Sequence, residues 1–257
     1  MNSREIWIAL TTIFVKEVRR FMRIWPQTLV PPVITVTLYF IIFGNLIGSR
    51  IGTMDGFSYM EFVVPGLIMM GVITNSYGNV VSSFFGAKFQ HSIEELTVSP
   101  VPNWVILLGF VLGGVTRGLA VGFIVTLMSL FFTKLSINNL PLTVLVVLLT
   151  SVLFSIAGLI NAIFANNFDD ISIIPTFVLT PLIYLGGVFY SVSLLPDFWA
   201  GVSKFNPVLY MVNAFRYGVL GISDISVGVA LSMISGFIAI AFSYALYLLN
   251  SGTRIRS

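Results

Sequence analysis

Long apolar runs separated by short polar stretches dominate the pattern of the chain. At 1.5 Å per residue, about 18 to 25 apolar residues cross the roughly 30 Å hydrocarbon core of a bilayer as a helix. Prolines 31 and 32 are expected at the start of the first span, where a helix tolerates them. Runs of the required length predict six transmembrane helices in one membrane domain over 1–257, at about 29–46, 62–85, 105–132, 141–164, 171–190 and 226–249.

Residues 3–25 are amphipathic rather than uniformly apolar. Their cations and apolar side chains separate onto opposite faces at helical spacing, which predicts a helix lying in the membrane interface. A simple anchor and a contact with a partner protein both fit such a helix. The basic face, which would meet anionic lipid headgroups, comprises Lys16, Arg19, Arg20 and Arg23, and the apolar face comprises Trp7, Leu10, Phe14, Val18, Phe21 and Trp25.

The polar stretch 86–104 interrupts the pattern between the second and third runs. Within it, Ser92-Ile93-Glu94-Glu95 has the spacing of a capping box, in which a serine and a glutamate satisfy backbone amides at a helix start. Pro100 and Pro102 end any helix by about Ser99. The pattern therefore predicts a helix of about two turns, too short to be stable alone in water. Such a helix is either an idle connector or a docking element.

Composition agrees with an all-α integral membrane protein and limits its chemistry. Charged residues make up 9% of the chain, whereas a soluble domain carries about 25%. The long apolar runs favour helices over an outer-membrane barrel. The chain has no cysteine and one histidine, His91, so thiolate chemistry and histidine clusters for metals are excluded. His91 is interpreted as an interfacial polar residue.

Positive charges predict the topology. Six spans place both termini on one side, and the positive-inside rule puts that side in the cytoplasm. Residues 86–104 are then cytoplasmic, and 191–225, whose short apolar pieces and polar breaks predict a re-entrant or interfacial hairpin, are external. The inner cations are Arg4, Lys16, Arg19, Arg20, Arg23, Lys88, Arg254 and Arg256, and the outer ones are Arg50, Lys134, Lys204 and Arg216.

Small and polar side chains recur on one face of the second span. A buried amide without a partner costs several kcal/mol in an apolar medium, so Asn75 and Asn79 are predicted to face another helix or water. Interhelical packing and the lining of a pathway both fit this face. Its members are Gly71, Asn75, Gly78, Asn79 and Ser82.

Arg117 is the one ionisable residue deep in a predicted span. At mid-bilayer an arginine costs at least about 2.5 kcal/mol, so Arg117 needs a partner or a wet cavity. Asn79, Asn161 and Asp169 are the candidate partners, and structural pairing is favoured over contact with a transported molecule. Glycines spaced along the same span predict close helix contacts, at Gly109 and Gly113 on one face and Gly114, Gly118 and Gly122 on another.

The fifth span combines a polar face with two prolines. Thr176, Thr180 and Tyr184 share one face, and Pro175 and Pro181 can bend the helix. This combination suits a moving gate and a static kink equally. Gly186-Gly187 at the end of the span would let the backbone approach a neighbour.

Enzyme signatures are absent from the sequence, including HExxH, GxSxG and the phosphate-binding GxxxxGK[ST]. No predicted span holds a carboxylate of the kind used in proton relays. If the protein transports a cargo, an external source of energy must therefore drive it.

The order of these elements and four passages resemble the type-2 ABC transporter permeases of bacterial inner membranes. The likeness covers nearly the whole chain. The passages are PQTLVPPVITVTLYFIIFGNLIGSRIG at 26–52, FVVPGLIMMGVITNSYGNVVSSFFGAKFQHSIEEL at 62–96, FDDISIIPTFVLTPLIYLGGVFYSVSLLP at 168–196 and NPVLYMVNAFRYGVLGI at 206–222.

The resemblance implies a dimer of the six-span unit, with each copy docked on a separately encoded cytoplasmic ATPase that binds ATP and Mg. It implies membrane lipids as further partners, no cofactor on this chain and no role for nucleic acid. The expected function is outward movement of a hydrophobic or amphipathic cargo by alternating access. A passive channel or scramblase and a membrane scaffold without ATP coupling are the alternatives, and an intramembrane enzyme fits worst.

The resemblance also implies roles for particular residues. The helix at 92–98 looks like the coupling helix that contacts the ATPase, with candidate contacts at Phe89, His91, Ser92, Ile93, Glu94, Glu95 and Leu96. Residues 3–25 look like a connecting helix, and 191–225 look like an external cap with Asn206, Pro207, Tyr210 and Arg216. The implied lining of the translocation path is Asn75, Asn79, Thr176, Thr180 and Tyr184.

Overall fold

Long helices carry most of the chain in a computed structural model that describes residues 1–252, apart from the side chains at 44–47 and 49. Arg254 and Arg256, two of the predicted inner cations, lie outside the described residues. One small antiparallel hairpin, β1 (Thr53–Met54) with β2 (Phe57–Ser58), lies between the second and fourth helices. The helices are α1 (Ser3–Arg23), α2 (Trp25–Tyr39), α3 (Gly48–Ile51), α4 (Tyr59–Phe89), α5 (Ser92–Val98), α6 (Asn103–Ser129), α7 (Leu140–Phe164), α8 (Asp170–Ile174), α9 (Thr180–Tyr184), α10 (Asp197–Ser203), α11 (Pro207–Leu220) and α12 (Val227–Ser251).

Five helical stretches of the described chain are long and apolar enough to cross a membrane: Trp25–Phe43, α4, α6, α7 and α12. They confirm the first, second, third, fourth and sixth predicted runs as long apolar helices, with ends shifted by a few residues. The membrane-protein class predicted from composition is therefore confirmed.

The fifth predicted run, 171–190, is shorter than expected. Its helical part is Asp170–Tyr184, which consists of α8, a π-helical turn at Pro175–Leu179, and α9. At 1.5 Å per residue this stretch reaches roughly 22 Å, less than the roughly 30 Å of a hydrocarbon core. The prediction of a full span ending at residue 190 was wrong, because the helix ends at Tyr184 and residues 185–190 form turns and bends.

Two prolines and a glycine explain the interrupted fifth helix. Pro175 opens the π turn and Pro181 lies in the first turn of α9, and neither can donate a backbone hydrogen bond. Gly187 then adopts a positive φ of 73°, a conformation that glycine takes readily and that does not continue a right-handed helix. At Gly186 an added Cβ would lie 2.6 Å from the side chain of Val208. The expected close backbone approach at Gly186-Gly187 is thus confirmed, and its neighbour is α11.

The first span begins earlier than predicted. Helix α2 starts at Trp25 with Pro26 in its first turn, so Pro31 and Pro32 lie inside the helix and not at its start. Their missing N–H groups leave the carbonyls of Gln27 and Thr28 without their usual donors. Beyond Tyr39 the chain continues as a π-helical segment, Phe40–Ile47.

Helix α4 lies at the centre of the bundle and packs along α6 and α7. Glycines make this packing close: a Cβ on Gly122 would lie 2.8 Å from a Val72 methyl, and one on Gly158 would lie 2.5 Å from the Tyr77 carbonyl oxygen. The predicted glycine faces of the third span are confirmed as packing surfaces, one against α1 and the other against α4 and α7.

Helix α1 packs lengthwise on α6. A Cβ on Gly109 would meet Ile13, and one on Gly113 would meet Glu17. Trp7 is 65% exposed, as is more than half of Trp25, so these two members of the predicted apolar face do not pack on α6. The seam of α1 is centred instead on Ile13, Glu17 and Phe21, all of which are buried.

The segment 191–225 is mainly helical, with α10 on the surface and α11 buried against α4, α7 and α12. Pro207 occupies the first turn of α11, and the side chain of Asn206 accepts a hydrogen bond from the Val208 amide. A left-handed glycine, Gly221, ends the helix. The apolar pieces seen in the sequence thus fold back onto the bundle.

Candidate functional site

Helix α5 begins and ends within the predicted limits, but its start differs from the predicted capping box. His91 is the cap residue and has a left-handed φ of 57°. Ser92 lies one position inside the helix, and its hydroxyl donates to the Ala87 carbonyl oxygen at 3.1 Å. Because Ser92 is inside the first turn, it cannot cap the amides beyond it, and the capping-box prediction was wrong. The ring Nδ1 of His91 lies 2.9 Å from a carboxylate oxygen of Glu94.

A buried side chain attaches α5 to the end of the central helix. Ile93 is fully buried and belongs to the hydrophobic core, and α5 packs against α4. The ammonium of Lys88, on the last turn of α4, donates to the carbonyl oxygens of Ile163 and Ala165 at 2.8 Å each. These bonds join the C-terminal end of α4 to the C-terminal end of α7. Helix α5 is therefore attached to the bundle near the point where the ends of α4 and α7 are bonded together.

The side of α5 that faces away from the bundle, with the adjoining end of α4, carries exposed apolar and acidic side chains. Phe89 is 60% exposed and Val98 is 80% exposed, and Glu95 is exposed between them along the chain. Leu96 and Glu94 are half-buried. Of the predicted contact residues, Phe89, His91 and Glu95 therefore face outward, whereas Ile93 faces the bundle. The ring of Phe168 packs against Phe89 with its centroid 5.1 Å away.

The two asparagines of α4 each bind an arginine. The Nη2 atom of Arg117 donates to Oδ1 of Asn75 at 3.1 Å. The Nη2 atom of Arg20 donates to Oδ1 of Asn79 at 2.8 Å and to its carbonyl oxygen at 2.9 Å. The prediction that both side chains face another helix is confirmed, although Nδ2 of Asn79 is buried without a hydrogen-bond partner among the described residues. The partner of Arg117 is Asn75, however, and not Asn79, Asn161 or Asp169.

Arg20 differs from the other members of the predicted basic face. Besides its bonds to Asn79, its Nε atom lies 3.4 Å from the carboxylate of Glu17, which is fully buried. Lys16, Arg19 and Arg23 are exposed. Arg20 thus connects α1 to α4, and three exposed cations remain of the predicted basic face.

The predicted path residues of the fifth span lie on the surface of the bundle. Thr176, Thr180 and Tyr184 are exposed, and the Thr180 hydroxyl donates to the Pro175 carbonyl oxygen at 2.9 Å. The hydroxyls of Tyr184 and Tyr39 are 3.0 Å apart. In contrast, Asn79 is fully buried and Asn75 nearly so. The structure therefore does not bring the five path candidates together around one cavity of the single chain.

Three of the four predicted external residues, Asn206, Tyr210 and Arg216, are buried polar side chains. Arg216 is 1% exposed; its Nη2 atom donates to the Gly187 carbonyl oxygen at 2.7 Å, and its guanidinium carbon is 3.9 Å from the ring centre of Phe62. Burial lowers the pKa of Arg216, and the carboxylates of Asp224 and Asp55 oppose that shift. The amide of Asn206 donates to the Leu182 carbonyl oxygen.

Further hydrogen bonds connect parts of the segment 191–225 with one another. The Tyr210 hydroxyl donates to the Lys204 carbonyl oxygen at 2.6 Å. The carboxylate of Asp224 accepts from the Ser191 hydroxyl and the Val192 amide, and the Asp224 amide donates to Asn213. These contacts hold α11 and its flanking loops as one unit on the bundle.

Sequence reasoning missed three side chains that organise the site: Glu17, Lys88 and Asp224. Glu17 was detectable, because it is the acidic residue between Lys16 and Arg19. Lys88 was counted only as an inner charge, since nothing local indicates that it reaches α7. Within residues 1–252 no cluster of three or more metal-ligating His, Asp or Glu side chains is present.

Comparison with known proteins places this arrangement in a family. Residues 8–220 match the ABC-2 type transporter family, so the chain belongs to that family of membrane permeases. The matched region is the membrane permease domain, which carries no catalytic ATPase domain, and the family implies an ATPase partner.

Curated relatives agree with this assignment. The chain is 61% identical over 251 residues to the inner membrane transport permease YadH of Escherichia coli strain K12, covering 98% of each chain. It is 23% identical over 218 residues to nodulation protein J of Rhizobium leguminosarum bv. viciae, covering 83% of each chain. The chain is accordingly an inner-membrane permease of an ABC transporter, as the sequence resemblance indicated.

Proposed function

We propose that the chain is the membrane subunit of an ATP-driven exporter that works as a homodimer with two copies of a cytoplasmic ABC ATPase. The cargo is hydrophobic or amphipathic, in the class of lipids, glycolipids or drug-like molecules, and it moves outward by alternating access. Both termini and α5 lie on the cytoplasmic side, and α10 and α11 lie on the external side. ATP and Mg bind to the partner subunit.

The observation that carries this proposal is the attachment of α5. A helix of seven residues is unstable alone in water, yet α5 is anchored by buried Ile93 and by the bond from Ser92 to Ala87. It presents Glu95 and Val98 outward, next to the exposed Phe89 at the end of α4. An exposed apolar pair flanking a charge is typical of a protein contact surface. Helix α5 thus suits docking of a partner better than idle connection.

The attachment also suits the transmission of force. A push on α5 acts on the end of α4, whose 31 residues extend through the centre of the bundle. Because α4 packs against α6 and α7, these helices move together. The interrupted stretch Asp170–Tyr184 has weaker internal hydrogen bonding and an exposed polar face, so it is the part that changes shape as the path opens. Thr176, Thr180 and Tyr184 line that path with Asn75.

Asn79 can line the path only after its present contacts are broken. In the present state its amide oxygen is occupied by Arg20 and its side chain is fully buried. Contact between Asn79 and a cargo therefore requires α1 to move away from α4. Until then Asn79 works as a joint between the two helices.

The docking proposal is tested by charge reversal on α5. We expect Glu95→Lys to reduce co-purification of an ABC ATPase from native membranes, where the unmodified chain retains one ATPase per permease. Asp197→Lys, which reverses an exposed charge at the start of α10, is the matched control and should leave the ratio unchanged. If the unmodified chain retained no ATPase, the proposal of an ATP-driven exporter would be contradicted.

A coupling assay adds a second readout. We expect reversal at both Glu94 and Glu95 to uncouple ATP hydrolysis from transport in the reconstituted complex while the protein remains folded. Normal transport with normal ATPase binding by that double variant would contradict the coupling role of α5. Cargo movement by the purified chain alone, without ATPase or nucleotide, would favour a passive channel or scramblase instead.

A further inference from the structure

A cavity of about 340 Å³ lies between α2, α4 and α6, and Arg117 is one of its lining residues. Its volume is within the usual range for small-molecule sites. Three of its lining residues on α2, Gln27, Pro31 and Thr35, are exposed, so the cavity opens on the surface of the bundle. Pro32, Val36 and Met70 give it apolar walls.

The charge of Arg117 is incompletely paired in this cavity. Its Nη2 atom donates to the neutral amide of Asn75, and its Nε atom is buried without a hydrogen-bond acceptor among residues 1–252. The ion pairs of the described chain join Arg20 to Glu17 and His91 to Glu94, so neither includes Arg117. Arginine keeps its charge in proteins, and a charge removed from water needs a counter-charge or further hydrogen bonds. An anion bound in the cavity would supply the counter-charge.

A second cation lies next to the first. Arg117 and Arg20 bind Asn75 and Asn79, which are one turn apart on α4, so their bonding groups are separated by roughly 5 to 6 Å along that helix. The carboxylate of Glu17 is shared only with Arg20. Beyond Arg20, the exposed Lys16, Arg19 and Arg23 continue the positive charge along α1. The cavity is therefore at the end of a row of cations.

The position of the cavity indicates where its ligand comes from. Gln27 and Thr28, which line it, lie in the first turn of α2, and the remaining α2 residues of the lining extend to Val36. Since the first turn of a span lies near the headgroup level, the cavity extends from that level into the hydrocarbon region. A lipid can place its phosphate at Arg117 and its chains along the apolar walls, whereas a free anion gains nothing from those walls.

We propose that this cavity binds the headgroup of an anionic phospholipid from the cytoplasmic leaflet, with its phosphate on Arg117. The carbonyls of Gln27 and Thr28, which lack helix donors because of Pro31 and Pro32, can accept from hydroxyls of a headgroup such as phosphoglycerol. This binding needs no ATPase, so it can be tested separately from the transport proposal.

The test measures lipids retained by the purified full-length chain in native mass spectrometry after exchange with phosphatidylglycerol or phosphatidylcholine. We expect one tightly retained phosphatidylglycerol per chain. Arg117→Gln should weaken its retention about 10- to 100-fold, the range for losing a charge-assisted bond, and Arg117→Lys should weaken it less. Arg50→Gln removes the same charge from an exposed site on α3, outside this row of cations, and should have no effect on the tightly held lipid.

A steric variant keeps the test valid if Arg117→Gln does not fold. Thr35→Trp places a large side chain at the exposed mouth of the cavity and leaves Arg117 intact, and it should also release the lipid. Equal retention by Arg117→Gln and the unmodified chain would overturn the proposal. Equal retention of phosphatidylcholine would do the same, and so would displacement of phosphatidylglycerol by inorganic phosphate, because it would identify a site for a soluble anion.

Discussion

Gly158 provides the sharpest test of how closely the central helices pack. A Cβ at this position on α7 would lie 2.5 Å from the carbonyl oxygen of Tyr77 on α4, and 3.3 Å from its carbonyl carbon and Cα. All three neighbours are backbone atoms, so no side-chain rotation can relieve the overlap. The substitution Gly158→Ala must instead separate α4 from α7.

The required separation sets the magnitude of the effect. Ordinary contact begins at 3.4 Å, so the Cβ and the carbonyl oxygen must move apart by about 0.9 Å. A gap of that size forfeits a quarter to a half of the dispersion energy of the neighbouring contacts, and overpacking of this kind costs about 1 to 3 kcal/mol. Replacing glycine by alanine inside a helix offsets part of this, by about 0.5 to 1 kcal/mol.

Gly236→Ala is the matched control, because Gly236 is exposed in the middle of α12 and an added Cβ there meets nothing within 4 Å. Both variants gain the same helix propensity, so their difference isolates the overpacking. We expect the free energy of unfolding, measured by titration with sodium dodecyl sulfate in mixed micelles, to be about 1 to 3 kcal/mol lower for Gly158→Ala than for Gly236→Ala. Equal stability of the two variants would refute the close α4–α7 contact.

Two further predictions concern the region where α4 ends and α5 begins. Lys88→Met removes both bonds to the end of α7 and should lower the free energy of unfolding in the same titration by about 1.5 to 3 kcal/mol, and Lys88→Arg should lower it less. His91→Val should speed hydrogen exchange of the α5 amides, because a β-branched residue at positive φ costs about 1 to 2 kcal/mol; His91→Gly should not. Unchanged exchange in His91→Val would contradict the role of His91 in the turn.

Much of the architecture follows from local sequence patterns. The long apolar runs, the limits of α5 and the glycine faces of α6 all depend on residues close together in the chain, and each is present in the structure. Pro100 and Pro102 fixed the end of α5 without reference to the rest of the fold. Patterns of this kind predict the structure correctly because each depends only on residues within one helix.

The wrong predictions concern features that depend on neighbours. An apolar stretch can continue past the end of a helix, and the length of the fifth span was overestimated because residues 185–190 are apolar but pack as a loop on α11. The pairing of Arg117 with Asn75 depends on how α6 is rotated against α4, which the sequence of α6 does not encode alone. The predicted capping box failed because His91 takes the left-handed conformation, which is uncommon for residues other than glycine, and becomes the cap residue itself.

The polar contacts of the bundle divide it into a rigid and a deformable part. Arg20, Lys88 and Arg117 join α4 to α1, to the end of α7 and to α6, and each bond lies among buried or half-buried groups, where it is strong. The stretch Asp170–Tyr184 has no comparable ionic contact among the described residues and contains a π turn between two prolines. Under the coupling proposed for α5, a force on this helix would therefore move α4 with its neighbours as one body, and the shape change would fall on Asp170–Tyr184.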